Sequence, residues 1–314
     1  MLTKIIKWWM LIVLLIVVKP CYPNITLFKS LPYLIDSRAL IRDTVPNVIA
    51  IDKNISIEHY FQFLDSIVTK YDSITPYHLT EHLLARANPW IIDTLQNTDY
   101  YRMMEHDSFV YNQKKMIVLP KGASLVIPDA IVAQKILDSF QNTWIDINIP
   151  EFKLRIYEGS KILYEFPIRV GRNEEKYLET YGRVQNLRTK TGEGFIVGHI
   201  RNPKYVNPVT DHEYFVTKRD DGNITKLPQI PFIIPEIEGK RSGQIIHPTT
   251  NPITLGKAYS NGCIGTKEAD AWVIYYHAPI GTKIIIRYDL NVHNENGNEI
   301  VLKDIYNKTQ QHSH

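Results

Sequence analysis

The spacing of apolar residues changes near the middle of the chain. Up to about residue 150, apolar positions recur every three or four residues, the period of an amphipathic helix. The stretch "ISIEHYFQFLDSIVTKY" is apolar at 57, 60, 61, 64, 67 and 68 and predicts a helix. "TPYHLTEHLLARA" predicts a second, opened by Thr75 as cap with Pro76 at the first helical position. "PDAIVAQKILDSFQ" predicts a third, its apolar face at 131, 132, 136, 137 and 140. From 152 onward the pattern alternates instead. Phe152, Leu154 and Ile156, then Tyr164, Phe166, Ile168 and Val170, flank Glu158-Gly159-Ser160 and predict a β-hairpin. Further strands are expected over "GFIVGHI" (194–200), "GQIIH" (243–247) and "GTKIIIRY" (281–288). One helix is expected in this half, over "KEADAWVIYYH", with Ala269, Trp272, Val273 and Tyr276 on its buried face and Thr266 as cap. The fold class is therefore mixed, a mostly helical N-terminal region followed by a mainly β domain with one helix.

Four segments follow from this reading: residues 1–24, an accessory region over 25–150, a β domain over 151–290 and a loose polar tail over 291–314. The segment "MIVLPKGASLVIPD" (116–129) is similar to the end of a LysM glycan-binding module, although the usual start of that module is missing. The alternative is an unrelated helical accessory domain. A long Pro-rich insertion runs from Asn202 to about Arg241. Such a length inside a β domain points to a lid or binding loop, or else to a surface excursion.

The first 24 residues differ from the rest. Lys4 and Lys7 precede an unbroken apolar run from Trp8 to Val18. The run is shorter than the roughly 20 residues of a full span and suits the core of a signal peptide. Lys19-Pro20-Cys21 is a poor cleavage site, so an uncleaved membrane anchor extended by Ile5 and Ile6 is the alternative. Either way the protein is expected to be exported to the cell envelope. Beyond these residues basic and acidic side chains balance at 33 each. A near-neutral body offers no nucleic-acid groove. No dinucleotide or P-loop fingerprint is present, and no cofactor is expected. "HLTEH" (78–82) fits an inverted zinc-protease pattern, but no third ligand is evident, so no metal site is expected.

The candidate chemistry lies in "HPTTNPITLGKAYSNGCIGT", residues 247–266. If the leader is cleaved, Cys263 is the mature chain's one cysteine. A cysteine attacks as thiolate and needs a proton acceptor. His247, at the end of a predicted strand and sixteen residues earlier, is the obvious base. Gly262 permits a tight turn in which backbone N–H groups of 262 and 263 face a developing oxyanion. The positive end of the following helix would favour a thiolate. On pattern alone, a small buried cysteine is the competing reading.

Here the chain resembles a known family, the L,D-transpeptidases of the YkuD type, in the ErfK/YbiS branch. His247 followed by "SNGCI" (260–264) is similar to the family's histidine, loop and Ser-His-Gly-Cys motif. "LRIYEGSKILYEFPIRVGR", "TKTGEGFI", "NPKYVNP", "LPQIPFIIPEIEGK" and "GTKIII" resemble its other segments in order, over about 152–288. The resemblance implies a cysteine acyl-enzyme mechanism on peptidoglycan stem peptides. Cross-linking of stems, attachment of a protein or lipoprotein acceptor, and hydrolysis as an L,D-carboxypeptidase are the outcomes it allows. It implies a backbone carbonyl just after the histidine, here that of Pro248, as the group that orients the ring. Ser260, Asn261 and Gly265 fall at substrate-binding positions. Asn261 stands for the motif's second histidine and cannot shuttle a proton. Gly265 stands where an arginine is common, and that arginine is expected to help hold substrate carboxylate. Another cation is then needed, and Arg201, Lys204 and Arg241 are candidates by position. These departures leave a peptidoglycan-binding pseudoenzyme as the alternative. A sortase-like reading with Arg287 is weaker, because sortases place their histidine much further upstream.

Overall fold

The computed structural model describes residues 47–308 apart from Pro208 and Glu295. The apolar leader and the start of the accessory region lie outside the described residues. Among the described residues no helix is long and apolar enough to cross a membrane.

Among the described residues five α-helices precede the sheet: α1 Ile57–Tyr71, α2 Glu81–Ala87, α3 Pro89–Gln96, α4 Tyr100–Met104 and α5 Ala130–Asn142. α1 buries Ile57, Tyr60, Phe61, Leu64 and Ile67, the stripe that its spacing predicts. α2 begins later than Thr75-Pro76 implied. Thr80 caps it by accepting from Leu83 N–H at 3.1 Å, while Asp72–Ile74 form a 3-10 turn. The face of α5 is also rotated. Ile131 is 69% exposed, and Ala133, Ile136, Leu137 and Phe140 carry the packing. Asp129 accepts from Val132 N–H and fixes that start.

Among the described residues the main sheet has eight strands. In chain order they are β1 Thr143–Asn148, β2 Lys153–Glu158, β3 Lys161–Pro167, β4 Gly192–Ile200, β5 Phe232–Ile237, β6 Ile246–Pro248, β7 Ile264–Thr266 and β8 Lys283–Arg287. They lie in the order β7-β6-β5-β4-β8-β1-β2-β3. The β2–β3 hairpin is the one the alternation predicts. The sheet also takes in β1, ahead of the expected boundary near 150. β5 falls within "LPQIPFIIPEIEGK", read from sequence as insertion. Its Pro235 sits opposite Ile196, where the register of β4 shifts between Ile196 and Gly198. A bulge is where a residue without an N–H fits a sheet.

The helix after the cysteine, α6 Glu268–His277, is buried on every side, including Glu268 and Asp270. It packs against α2 and α3 on one side and β6 on the other. One continuous core joins the helices to the sheet, with Trp272, Tyr60 and Tyr276 fully buried at their junction. Thr266 does not cap α6. It lies in β7, and Asp99 accepts from Ala269 N–H at 2.9 Å instead.

The shortened insertion forms two small hairpins, Tyr205–Val206 with Glu213–Tyr214 and Val216–Lys218 with Ile224–Lys226. Arg219 pins the second one down. Its guanidinium is buried, 2.5 Å from Glu268 and 4.5 Å from the Tyr100 ring centroid. The described part of the tail, up to residue 308, is not loose either. Asn291–His293 and Glu299–Val301 pair as a hairpin, and Tyr306 is fully buried. An aromatic side chain with a bonded hydroxyl outweighs the polar composition around it.

Candidate active site

β6 and β7 run parallel, with His247 opposite Gly265 and Ile246 opposite Ile264. Cys263 immediately precedes β7, two residues from Gly265, so it shares the face on which His247 lies. With strands about 4.8 Å apart and two residues advancing about 6.6 Å, the two α-carbons are diagonal neighbours about 8 Å apart. Both side chains line one cleft of about 590 Å³, together with Arg169, Ser260 and Asn261. The two insertion hairpins form its opposite wall through Lys204, Tyr205, Tyr214 and Thr217.

His247 Nδ1 lies 2.9 Å from the carbonyl oxygen of Pro248. A carbonyl only accepts, so Nδ1 carries the proton and, in the neutral ring, Nε2 is left as the basic nitrogen. Burial, then the charge of Arg169, push the ring's pKa down to about 4. The imidazole is neutral at physiological pH and free to accept a proton. Burial pushes the Cys263 thiol up from its ordinary value, while a backbone hydrogen bond from Ile245 and the Arg169 charge act the other way. The resting pair is thus neutral thiol and neutral imidazole, not an ion pair. The α6 dipole does not supply the stabilising charge expected of it. All of β7, and then Lys267, stand between Cys263 and that helix.

The loop that carries Cys263 is held mostly by its own groups. Ser260 Oγ accepts from Gly262 N–H at 3.2 Å and donates to the Cys263 carbonyl at 2.5 Å. Gly262 N–H, expected as an oxyanion donor, is therefore already engaged, which leaves the N–H of Cys263. Gly262 has φ of +107°, a conformation that an L side chain rarely adopts. Ser260, expected to meet substrate, spends its hydroxyl inside the loop. Asn261 Oδ1 accepts from Arg172 Nη2.

The arginine of the cleft is Arg169, which the sequence reading missed; Lys204 and Lys218 line the cleft as well. Its backbone bridges Gly265 in both directions, N–H to O at 2.9 Å and O to N–H at 3.0 Å. Its side chain then lies over Gly265. Nη1 donates to Thr254 Oγ1 at 3.2 Å, and the buried Nε has no partner among the described residues. Arg201 and Arg241 do not line the cleft. Arg201 is bound to Asp65 at 2.7 Å and Glu81 at 3.2 Å, and Arg241 to Glu236 at 3.5 Å. Lys204 reaches the rim. Arg287 is committed to Asp146 and Asp289, which removes the basis for a sortase-like reading.

The zinc-like "HLTEH" is dispersed. His78 meets Asp72, while His82 donates through Nε2 to the Tyr275 carbonyl. Among the described residues no three His, Cys, Asp or Glu side chains cluster as a metal site.

Residues 142–286 match the family model of the YkuD L,D-transpeptidase catalytic domain. This segment is a YkuD-type domain. The YciB protein of Bacillus subtilis (strain 168), named as a candidate L,D-transpeptidase, is 26% identical over 146 residues. That match covers 46% of this chain and 66% of the relative. Among solved structures, an L,D-transpeptidase from Mycobacterium smegmatis is 14% identical, with a TM-score of 0.32 over 46% of this chain and 58% of that one. One from Xylanimonas cellulosilytica is 13% identical, with a TM-score of 0.34 over 78% of this chain and all of the other. The chain thus spans somewhat under two thirds of the length of the first relatives it matches.

Proposed function

We propose that this protein is a cysteine-dependent peptidoglycan L,D-transpeptidase of the cell envelope. One observation carries the reading. His247 donates through Nδ1 to Pro248, which leaves Nε2 basic in the same cleft as the only described free thiol.

Nε2 takes the Cys263 proton as sulfur attacks the carbonyl after the L-centre of the stem's diamino acid. The carbonyl π electrons move onto oxygen, which meets the N–H of Cys263. On collapse the C–N bond breaks, and the imidazolium returns its proton to the departing D-amino acid. The product is a thioester on Cys263. An amine from a second stem, or from a protein or lipoprotein acceptor, then displaces the sulfur through the same base. Water in its place gives L,D-carboxypeptidase activity. Arg169 is the cation suited to the donor carboxylate, in place of the motif arginine absent at Gly265. The leader provides export, with the uncleaved form held to the membrane.

The test is incubation of the protein with a carbapenem, which acylates the sulfur of such enzymes. A covalent adduct mapped to Cys263 by mass spectrometry is the expected result. An unmodified protein that still sediments with peptidoglycan supports the pseudoenzyme instead.

A further inference from the structure

We propose that Tyr306, beyond the end of the matched domain, is a positioning residue for the nucleophile loop. It acts through Thr189 on the peptide group that joins Gly262 to Cys263. The inference rests on the reading of Cys263 as the acylated nucleophile.

The chain of contacts is short. The Tyr306 hydroxyl donates to the Gly171 carbonyl at 2.6 Å and accepts from Thr189 N–H at 3.0 Å. Thr189 Oγ1 accepts from Gly171 N–H at 2.8 Å and donates to the Gly262 carbonyl at 3.0 Å. One hydroxyl from the tail therefore closes a ring of bonds around Gly171 and Thr189, and the ring ends on the residue before the cysteine. Every member is buried: Tyr306 is fully so, and Thr189 is 3% exposed. The segments are also in direct backbone contact. A Cβ at Gly171 would stand 2.0 Å from the Leu187 carbonyl oxygen. Gly171 in turn pairs with Ser260, the other end of the nucleophile loop.

Peptide geometry gives this ring its effect. In a trans peptide the C=O and N–H point in opposite directions within one plane. Thr189 fixes the Gly262 carbonyl, so it also fixes the direction of the Cys263 N–H. Gly262 N–H is bound to Ser260, and the Cys263 N–H is the donor left for the oxyanion. Glycine at 262 makes that peptide easy to rotate, and an external brace is needed to hold it. Tyr306 is itself located by ring stacking on Tyr288, at 5.3 Å between centroids, and by donation of its N–H to the Tyr288 hydroxyl at 2.8 Å. The tail thus reaches the nucleophile without touching substrate.

Two reactions of the same sulfur separate positioning from general support. Acylation by a carbapenem builds an oxyanion and needs the donor. Alkylation by iodoacetamide builds none and depends on thiolate and access alone. In the full chain, Tyr306→Phe keeps the ring and removes the hydroxyl. Acylation is expected to slow about tenfold, a part of what loss of a whole oxyanion donor costs. The alkylation rate and its pH midpoint should stay at the wild-type values. Thr189→Val, which removes the bond to the Gly262 carbonyl together with the one from Gly171 N–H, should reproduce this split if Tyr306→Phe fails to fold. An unchanged acylation rate, or acylation and alkylation falling together, overturns the proposal. A wild-type protein that alkylates but never acylates overturns the functional reading first, and the positioning role with it.

Discussion

Arg169 occupies the volume that a side chain at position 265 would need. A Cβ built on Gly265 would lie 2.4 Å from Arg169 Nε and 2.7 Å from its Cγ. The two residues are complementary, because the absent side chain at 265 is what admits the arginine from the neighbouring segment. The positive charge of the cleft is therefore carried at 169 and not at 265.

Restoring the family's arginine should consequently fail to help. Gly265→Arg must evict Arg169 or displace β7, an overpacking that costs typically about 1–3 kcal/mol. We expect a lower melting temperature and carbapenem acylation no faster than wild type. A variant that is both stable and faster would show that position 265 has room that the geometry denies.

Arg169→Met tests the charge alone. The guanidinium lowers the thiol pKa, so its removal should raise that pKa further and slow alkylation at neutral pH. It should also erase any preference for a donor stem with a free terminal carboxylate over the same stem amidated. KM for the two donors, measured side by side, reads this directly. A retained preference assigns the carboxylate to Lys204 or Lys218, the other cations lining the cleft.

Much of this site is legible in the sequence, for physical reasons. Alternation from 152 to 170 reports a half-buried hairpin, and the histidine ending a strand before a Gly-Cys turn does line one cleft with the cysteine. Arg169 is hidden because "FPIRVG" reads as ordinary strand, and its contact with Gly265 is made only by the backbone bridge between distant segments. The prolines of "PFIIPEI" mask a central strand that survives by facing a bulge. Tyr306 is hidden in a polar tail, where composition implies solvent and one buried hydroxyl decides otherwise.

His247→Ala should change the pH dependence of acylation as well as its rate. In the wild type the ring is neutral above about 4, so the base is available across the neutral range. Without it, the raised thiol must ionise unaided. Acylation at pH 7 should drop by about 100-fold or more, the ordinary contribution of a general base. The rate should then climb steadily with alkaline pH as the thiolate forms. If the variant acylates at the wild-type rate at pH 7, another group is the base.

Glu81 ties stability to pH at the junction between the helices and α6. It accepts from Tyr275 at 2.9 Å and Tyr276 at 2.7 Å, with Arg201 at 3.2 Å and Asp65 beyond it. Burial, against those hydrogen bonds, pushes its pKa from 4.5 up to about 7. The folded chain then holds a proton that the unfolded chain releases. This contribution is complete below pH 4.5 and is lost as pH rises through 7. The neighbouring His82 is pushed down by burial to about 3, and it acts oppositely below 6.5. Glu81→Gln leaves the histidine term in place and removes only the carboxyl's. The stability of the variant relative to wild type should therefore rise across pH 4.5–7, by at most about 3 kcal/mol. Chemical denaturation of both proteins at several pH values measures that difference. A difference that stays flat across the range would mean that Arg201 keeps Glu81 ionised at all of them.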